Sequence, residues 1–130
     1  MFCTDHELRR GPDPEFALQV ESLEAEERLI QQSMNADVLY RDGQFLRDEY
    51  DAKKPLGGGA GVPRKDWGHS CIEDVVDMAI KANVKRTYIG HHDPSRRWRE
   101  LLEIDADLVE KSKQTGLHFE MAKAETVIDL

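Results

Sequence analysis

The stretch that decides the fold runs Asp66-Trp67-Gly68-His69-Ser70-Cys71-Ile72-Glu73, continues to Asn83, and closes with Val84-Lys85-Arg86-Thr87-Tyr88-Ile89-Gly90-His91-His92-Asp93-Pro94. Ser70 and Glu73 have the spacing of a capping box, in which a hydroxyl and a carboxylate each satisfy a free backbone N–H. Ile72, Val75, Val76, Ala79 and Ile80 then recur at helical spacing and form one apolar stripe. The pattern predicts a helix ending near Ala82-Asn83. Val84 to Gly90 reads as a strand, and His91-His92-Asp93-Pro94 stands at its C-terminal end. A capped helix feeding a short strand is the unit of a layered α/β fold.

Working outward, the same alternation continues. Met1-Phe2-Cys3-Thr4 is β-prone and runs into the charged trio Asp5-His6-Glu7. It reads as a strand from inside a sheet whose neighbours are missing. Gly11-Pro12-Asp13-Pro14 is a turn. Ser22 is a candidate N-cap for a helix through Leu29-Ile30, with Glu24, Glu26 and Glu27 as its solvated face. Asp37 to Arg41 is a short strand candidate, and Gln44 to Ala52 is ambiguous. Lys53 to Lys65 is a glycine- and proline-rich loop. Its glycines lack the GxxxxGK[ST] order of a phosphate loop, so a surface loop is the better account. A second helix spans about Arg96 to Lys113, with Trp98, Leu101, Leu102, Leu108 and Val109 on one side and Gly116 as its terminator. Leu117-His118-Phe119 and Thr126-Val127-Ile128 are candidates for one or two further strands.

Composition narrows the classes. The chain has 130 residues, enough for one small domain, with 26 acidic against 18 basic residues and a net charge of −8. An acidic balance disfavours non-specific nucleic-acid binding, which needs a basic surface. It leaves a phosphoester substrate open, because a bound metal can supply local positive charge. No apolar run approaches the ~18 residues of a membrane span, and no basic, then apolar, leader opens the chain. Cys3 and Cys71 are too few for a disulfide framework and have no CxxC spacing, so two reduced thiols in a cytoplasmic protein are expected.

Chemistry concentrates in three polar clusters at element ends: Asp5-His6-Glu7, Gly68-His69-Ser70 and His91-His92-Asp93. Strand ends are where α/β sheets gather ligands. Taken singly, each cluster has a plainer explanation: a histidine before a helix is commonly a solvated cap, and Asp93-Pro94 is a turn. Trp67 and Trp98 read as packing residues, and His118 beside Phe119 as structural. Arg96-Arg97-Trp98-Arg99 could touch an anionic substrate, although a solvated helix start is commoner.

Together these strings resemble the C-terminal half of a metallo-β-lactamase-fold hydrolase, in the branch of phosphodiesterases and ribonuclease Z-like enzymes. The carrying residues are Thr4-Asp5-His6-Glu7, Ala36 to Phe45, Asp66-Trp67-Gly68-His69-Ser70, and Val84 through Pro94, with 22 positions between His69 and His91. The resemblance implies residues 1–130 as one half of an αββα sandwich, a mixed sheet plus helices. It implies two divalent metal ions, zinc with manganese or iron as alternatives, and hydrolysis of a small phosphodiester by a metal-generated hydroxide. Asp5 matches the ligand that bridges the metals, His91 matches a ligand of one metal with His92 as the alternative, and His69 matches a catalytic proton donor or phosphate contact. His6, Glu7, Asp42, His92 and Asp93 would surround them.

One departure is concrete. The family's His-x-His-x-Asp-His motif is nowhere in these residues. Most ligands would therefore come from a missing N-terminal half of the domain, and this chain alone would be inactive. A non-catalytic interaction module, pairing through its exposed sheet edge, is the alternative. Self-association as a homodimer stays open.

Overall fold

A computed structural model describes residues 1–9, 16–56 and 61–130. The elements follow in the order β1 (Phe2–Cys3), α1 (Phe16–Gln32), β2 (Val38–Asp42), α2 (Arg47–Tyr50), α3 (Ile72–Lys81), β3 (Arg86–Gly90), α4 (Trp98–Thr115) and β4 (His118–Met121). The strands form one sheet in the order β1-β2-β3-β4, and every pairing is parallel. The chain is thus α/β as expected, but the mixed sheet implied by the resemblance is wrong. A helix lies between each strand and the next, and such a crossover returns the chain in the same direction.

The three long helices lie on one face. Leu39, Ile89, Phe119 and Met121 share a core with Ile72, Val75, Val76 and Ala79 of α3 and with Ile104 and Leu108 of α4. On the same face, the fully buried Arg41 of β2 meets Glu26 of α1 through two hydrogen bonds of 2.9 and 2.7 Å. The residues that alternate with these point the other way. There Phe2, 71% exposed, stacks on Tyr40 at 4.7 Å, and Tyr40 pairs in register with Tyr88. Low on that face, Arg86 donates to the carbonyl of Asp129 at 2.8 Å, so the C-terminal tail covers part of it. Parallel sheets are ordinarily covered on both faces. Here the exposed end of the aromatic row is Phe2 at the β1 edge, whereas Tyr88 is buried.

Several local expectations change. Helix α1 starts at Phe16, so Ser22 lies inside it and accepts from the Arg9 N–H instead of capping. The capping box at Ser70 does not form. Cys71 is the residue before α3, the Ser70 hydroxyl donates to the His6 carbonyl, and Glu73 accepts from the Arg47 N–H. Trp98, Leu102 and Val109 are exposed, and Ile104 and Leu108 carry the buried side of α4. Gly116 does terminate α4, at φ 74°. Thr126 to Ile128 form no strand, and most of the glycine run lies outside the described residues. Cys3 and Cys71 are both buried and are not joined by a disulfide. No described helix is long and apolar enough to cross a membrane.

Glu26 is a correction with an energetic consequence. It is buried, not part of a solvated face. Burial alone would raise its pKa, but hydrogen bonds from His6 and Arg41, with the Arg41 charge, overcome this and hold it at about 2 against an ordinary 4.5. Its contribution to stability is therefore complete above pH ~4.5 and is lost as pH falls toward 2. Urea unfolding across this window should show a loss on the order of 3 kcal/mol. Glu26→Gln should remove that acid slope and destabilise the protein at neutral pH by a similar amount, since it leaves Arg41 buried without its counter-charge. An unchanged slope in the variant would contradict the assignment.

Candidate metal centre

The C-terminal ends of the parallel strands place Asp5, Asp42 and His91 along one edge of the sheet. Asp42 closes β2, His91 directly follows β3, and Asp5 lies just beyond β1. Asp5 and His91 both adopt left-handed backbone, at φ 56° and 58°. Asp and His tolerate this conformation better than most residues, but it still costs on the order of 1 kcal/mol or more. In both places it turns the chain at the end of a strand. A side chain at Gly90, immediately before His91, would have to displace the Tyr40 ring: a Cβ there would fall 2.0 Å from the Tyr40 hydroxyl.

His69 arrives from the loop before α3. Its ring meets that of His91 edge-on, with centroids 4.5 Å apart. Asp5, His69 and His91 each offer one donor atom, all within 4.8 Å of one another. Among the described residues this is the one group of three His, Cys, Asp or Glu side chains that could hold a metal ion.

Two carboxylates behind the cluster fix the His69 loop. Asp42 is fully buried and accepts from the Ser70 N–H at 3.1 Å, while His69 Nδ1 lies 3.2 Å from the same oxygen. A carboxylate only accepts, so the contact favours a proton on Nδ1 and leaves the Nε2 lone pair free. Glu7 is also buried. It accepts from the Tyr50 hydroxyl and from the N–H groups of Asp66 at 3.0 Å and Gly68 at 2.9 Å. Burial, and then the Glu7 carboxylate, push the Tyr50 phenol far above its ordinary pKa, so it remains a donor. Asp66 and Gly68 take positive φ, 70° and 78°, which turns their N–H groups toward Glu7.

The other candidates point elsewhere. The His6 ring bonds Glu26 at 2.9 Å, and only its carbonyl reaches toward the site, through Ser70. His92 is half-buried, bonds the Ala122 carbonyl at 3.3 Å and stands outside the cluster. Burial lowers its pKa, against the opposing effect of that hydrogen bond. Asp93 caps a turn through Ser95, and His118 pairs with Glu120 at 3.1 Å. Arg96 is not a surface anion contact: it is buried and bidentate with Glu49 at 2.9 and 2.7 Å.

The donor set fits a divalent metal in kind. One carboxylate oxygen and two imidazole nitrogens suit zinc, manganese or iron, and three protein ligands with an open position are the usual catalytic zinc arrangement. Donors on one tetrahedral zinc lie about 3.3 Å apart, given bonds near 2.0–2.1 Å. The cluster would need to tighten, and Asp5, with a side chain 71% exposed, has room to move. A second ion would need further donors. Comparison of the chain with protein families, with curated proteins and with solved structures gives no match.

Sequence reasoning missed Tyr50 and Phe45 at the site. Positive φ at Asp66 and Gly68 is the one local signal that residue type could have suggested. The Glu7 clamp yields a test. Glu7→Ala leaves three donors unpaired and should cost about 2 kcal/mol or more of stability, with Tyr50→Phe costing about 1. The Glu7 variant should also shift the Trp67 fluorescence, because its loop loses its anchor. Equal stability of both variants and wild type would contradict the clamp.

Proposed function

We propose that Asp5, His69 and His91 are part of the metal site of a divalent-metal-dependent hydrolase acting on a phosphodiester. The convergence of these three side chains, from segments far apart in sequence, is the observation that supports this reading. Asp5 and His91 would serve as ligands. When bound, divalent cations supply Lewis acidity toward a phosphoryl oxygen and acidify water. His69, oriented by Asp42 through Nδ1, would present Nε2 to the phosphate; as an imidazolium, carrying a proton on both nitrogens, it would give the Nε2 proton to the leaving oxygen and return to the neutral Nδ1–H form.

The remaining donors would come from further polypeptide laid against the β1 edge of the sheet face opposite the long helices, where Phe2 is exposed. At the β1 edge of that face Phe2 stacks on Tyr40, and Tyr40 contacts the backbone immediately before His91, while Tyr88 is already buried. A covering layer there would end beside the cluster. The same face supports a second reading, an interaction module without metal, in which the layer is a partner and the cluster is inert.

Calorimetric titration with zinc separates the two. The first reading expects uptake of about one equivalent, lost in Asp5→Ala and His91→Ala and kept in His92→Ala and His118→Ala. Asp42→Asn should weaken uptake about 10- to 100-fold. Hydrolysis of bis-p-nitrophenyl phosphate should appear only when a polypeptide bearing His-x-His-x-Asp-His is added. Full activity of the chain alone would contradict the incomplete site, and absence of zinc uptake with or without that polypeptide would overturn the metal reading.

A further inference from the structure

Arg64 stands on the same clamped loop as His69. Its N–H donates to the Tyr50 carbonyl at 3.0 Å, and its carbonyl accepts from the Trp67 N–H at 3.2 Å. The guanidinium carbon lies 4.3 Å from the Trp67 ring centroid and 5.8 Å from that of Phe45. Phe45 in turn meets the His69 ring edge-on at 6.4 Å. One aromatic ring therefore separates the Arg64 cation from the imidazole at the cluster.

The lack of a carboxylate partner among the described residues sets this arginine apart. Arg41 and Arg96, the buried arginines, are bidentate with Glu26 and Glu49. Arg64 Nε is buried without a hydrogen-bond partner, as are the Nε atoms of Arg41 and Arg96; the difference is that no carboxylate meets the rest of its guanidinium. No carboxylate of the described residues forms an ion pair with Arg64, in a chain with 26 acidic residues against 18 basic. Stacking on Trp67 fixes the guanidinium plane but supplies no acceptor for its N–H groups. A planar cation, held in place and left without a counter-charge, is arranged to receive an oxyanion through paired hydrogen bonds.

We propose that Arg64 is a specificity-determining residue that binds a second oxyanion of the substrate, a phosphate or carboxylate lying one aromatic ring away from the reacting phosphodiester. This deepens the metal-site reading and selects phosphodiesters that carry an additional negative group. The half-exposed Trp67 flanks the second position, and the fully buried Phe45 sets its distance from His69.

Inorganic pyrophosphate is the probe, used without metal so that the result does not depend on the cluster. Trp67 and Trp98 are the only tryptophans, so Trp98→Phe leaves Trp67 as the reporter. Titration should give a saturable change in Trp67 emission. Arg64→Gln and Arg64→Met should weaken it about tenfold or more, with Arg64→Lys keeping part of the affinity. Methionine retains the apolar stem over Trp67, so a purely packing role would leave the affinity in that variant unchanged. Asp5→Ala should bind pyrophosphate as well as the parent while losing zinc. Absence of saturation, or equal affinity in Arg64→Met, would overturn the proposal without touching zinc uptake. Loss of zinc uptake with Arg64-dependent anion binding intact would overturn the metal reading alone.

Discussion

The Glu7 carboxylate is the constraint from which the site's geometry follows. It is buried, and a buried charge is tolerable only when its oxygens are satisfied. One phenol and two backbone N–H groups satisfy it, and those donors come from α2 and from the loop before α3. The pairing ties the segment after β1 to a loop some sixty residues later. Asp5 lies two residues before the clamp and His69 one residue after it. Their proximity is therefore built in by the hydrogen bonds of a structural carboxyl group, independent of any bound metal. Asp42 repeats the device on the other side of His69, through the Ser70 N–H.

The sheet accounts for the third member of the cluster and for the cluster's openness. Parallel strands present all their C-terminal ends on one edge, so His91 after β3 faces the same way as Asp42 and Asp5. Among the described residues the three long helices share one face. The other is where an added layer would approach the cluster of Asp5, His69 and His91. Asp5 is largely exposed while Asp42, a supporting residue, is fully buried. The supporting groups are rigid, and the residue nearest the open side is free to adjust.

Much of this was legible in the sequence where a single element carries the signal. The stripe of Ile72, Val75, Val76 and Ala79 marks α3, and Gly116 marks the end of α4, because periodicity and backbone freedom are local properties. The polar clusters at Asp5, His69 and His91 could be singled out because strand ends are readable. Their convergence could not be derived from residue spacing; it depends on β2 standing between β1 and β3. Ser70 read as a cap, yet the His6 carbonyl, distant in sequence, claimed its hydroxyl. Glu26 and Arg96 read as surface charges for the same reason: their partners, Arg41 and Glu49, are brought to them only by the fold. The parallel sheet was implicit in the helix–strand alternation and was obscured by the resemblance.

Histidine side-chain nitrogen NMR during zinc titration tests the central claim most directly, because all five imidazoles report at once. Signals of His69 and His91 should move together and saturate at the same zinc concentration, while those of His6, His92 and His118 stay in place. Movement of His92 in place of His91, or of His69 and His91 at different zinc concentrations, would contradict a shared site at the strand ends.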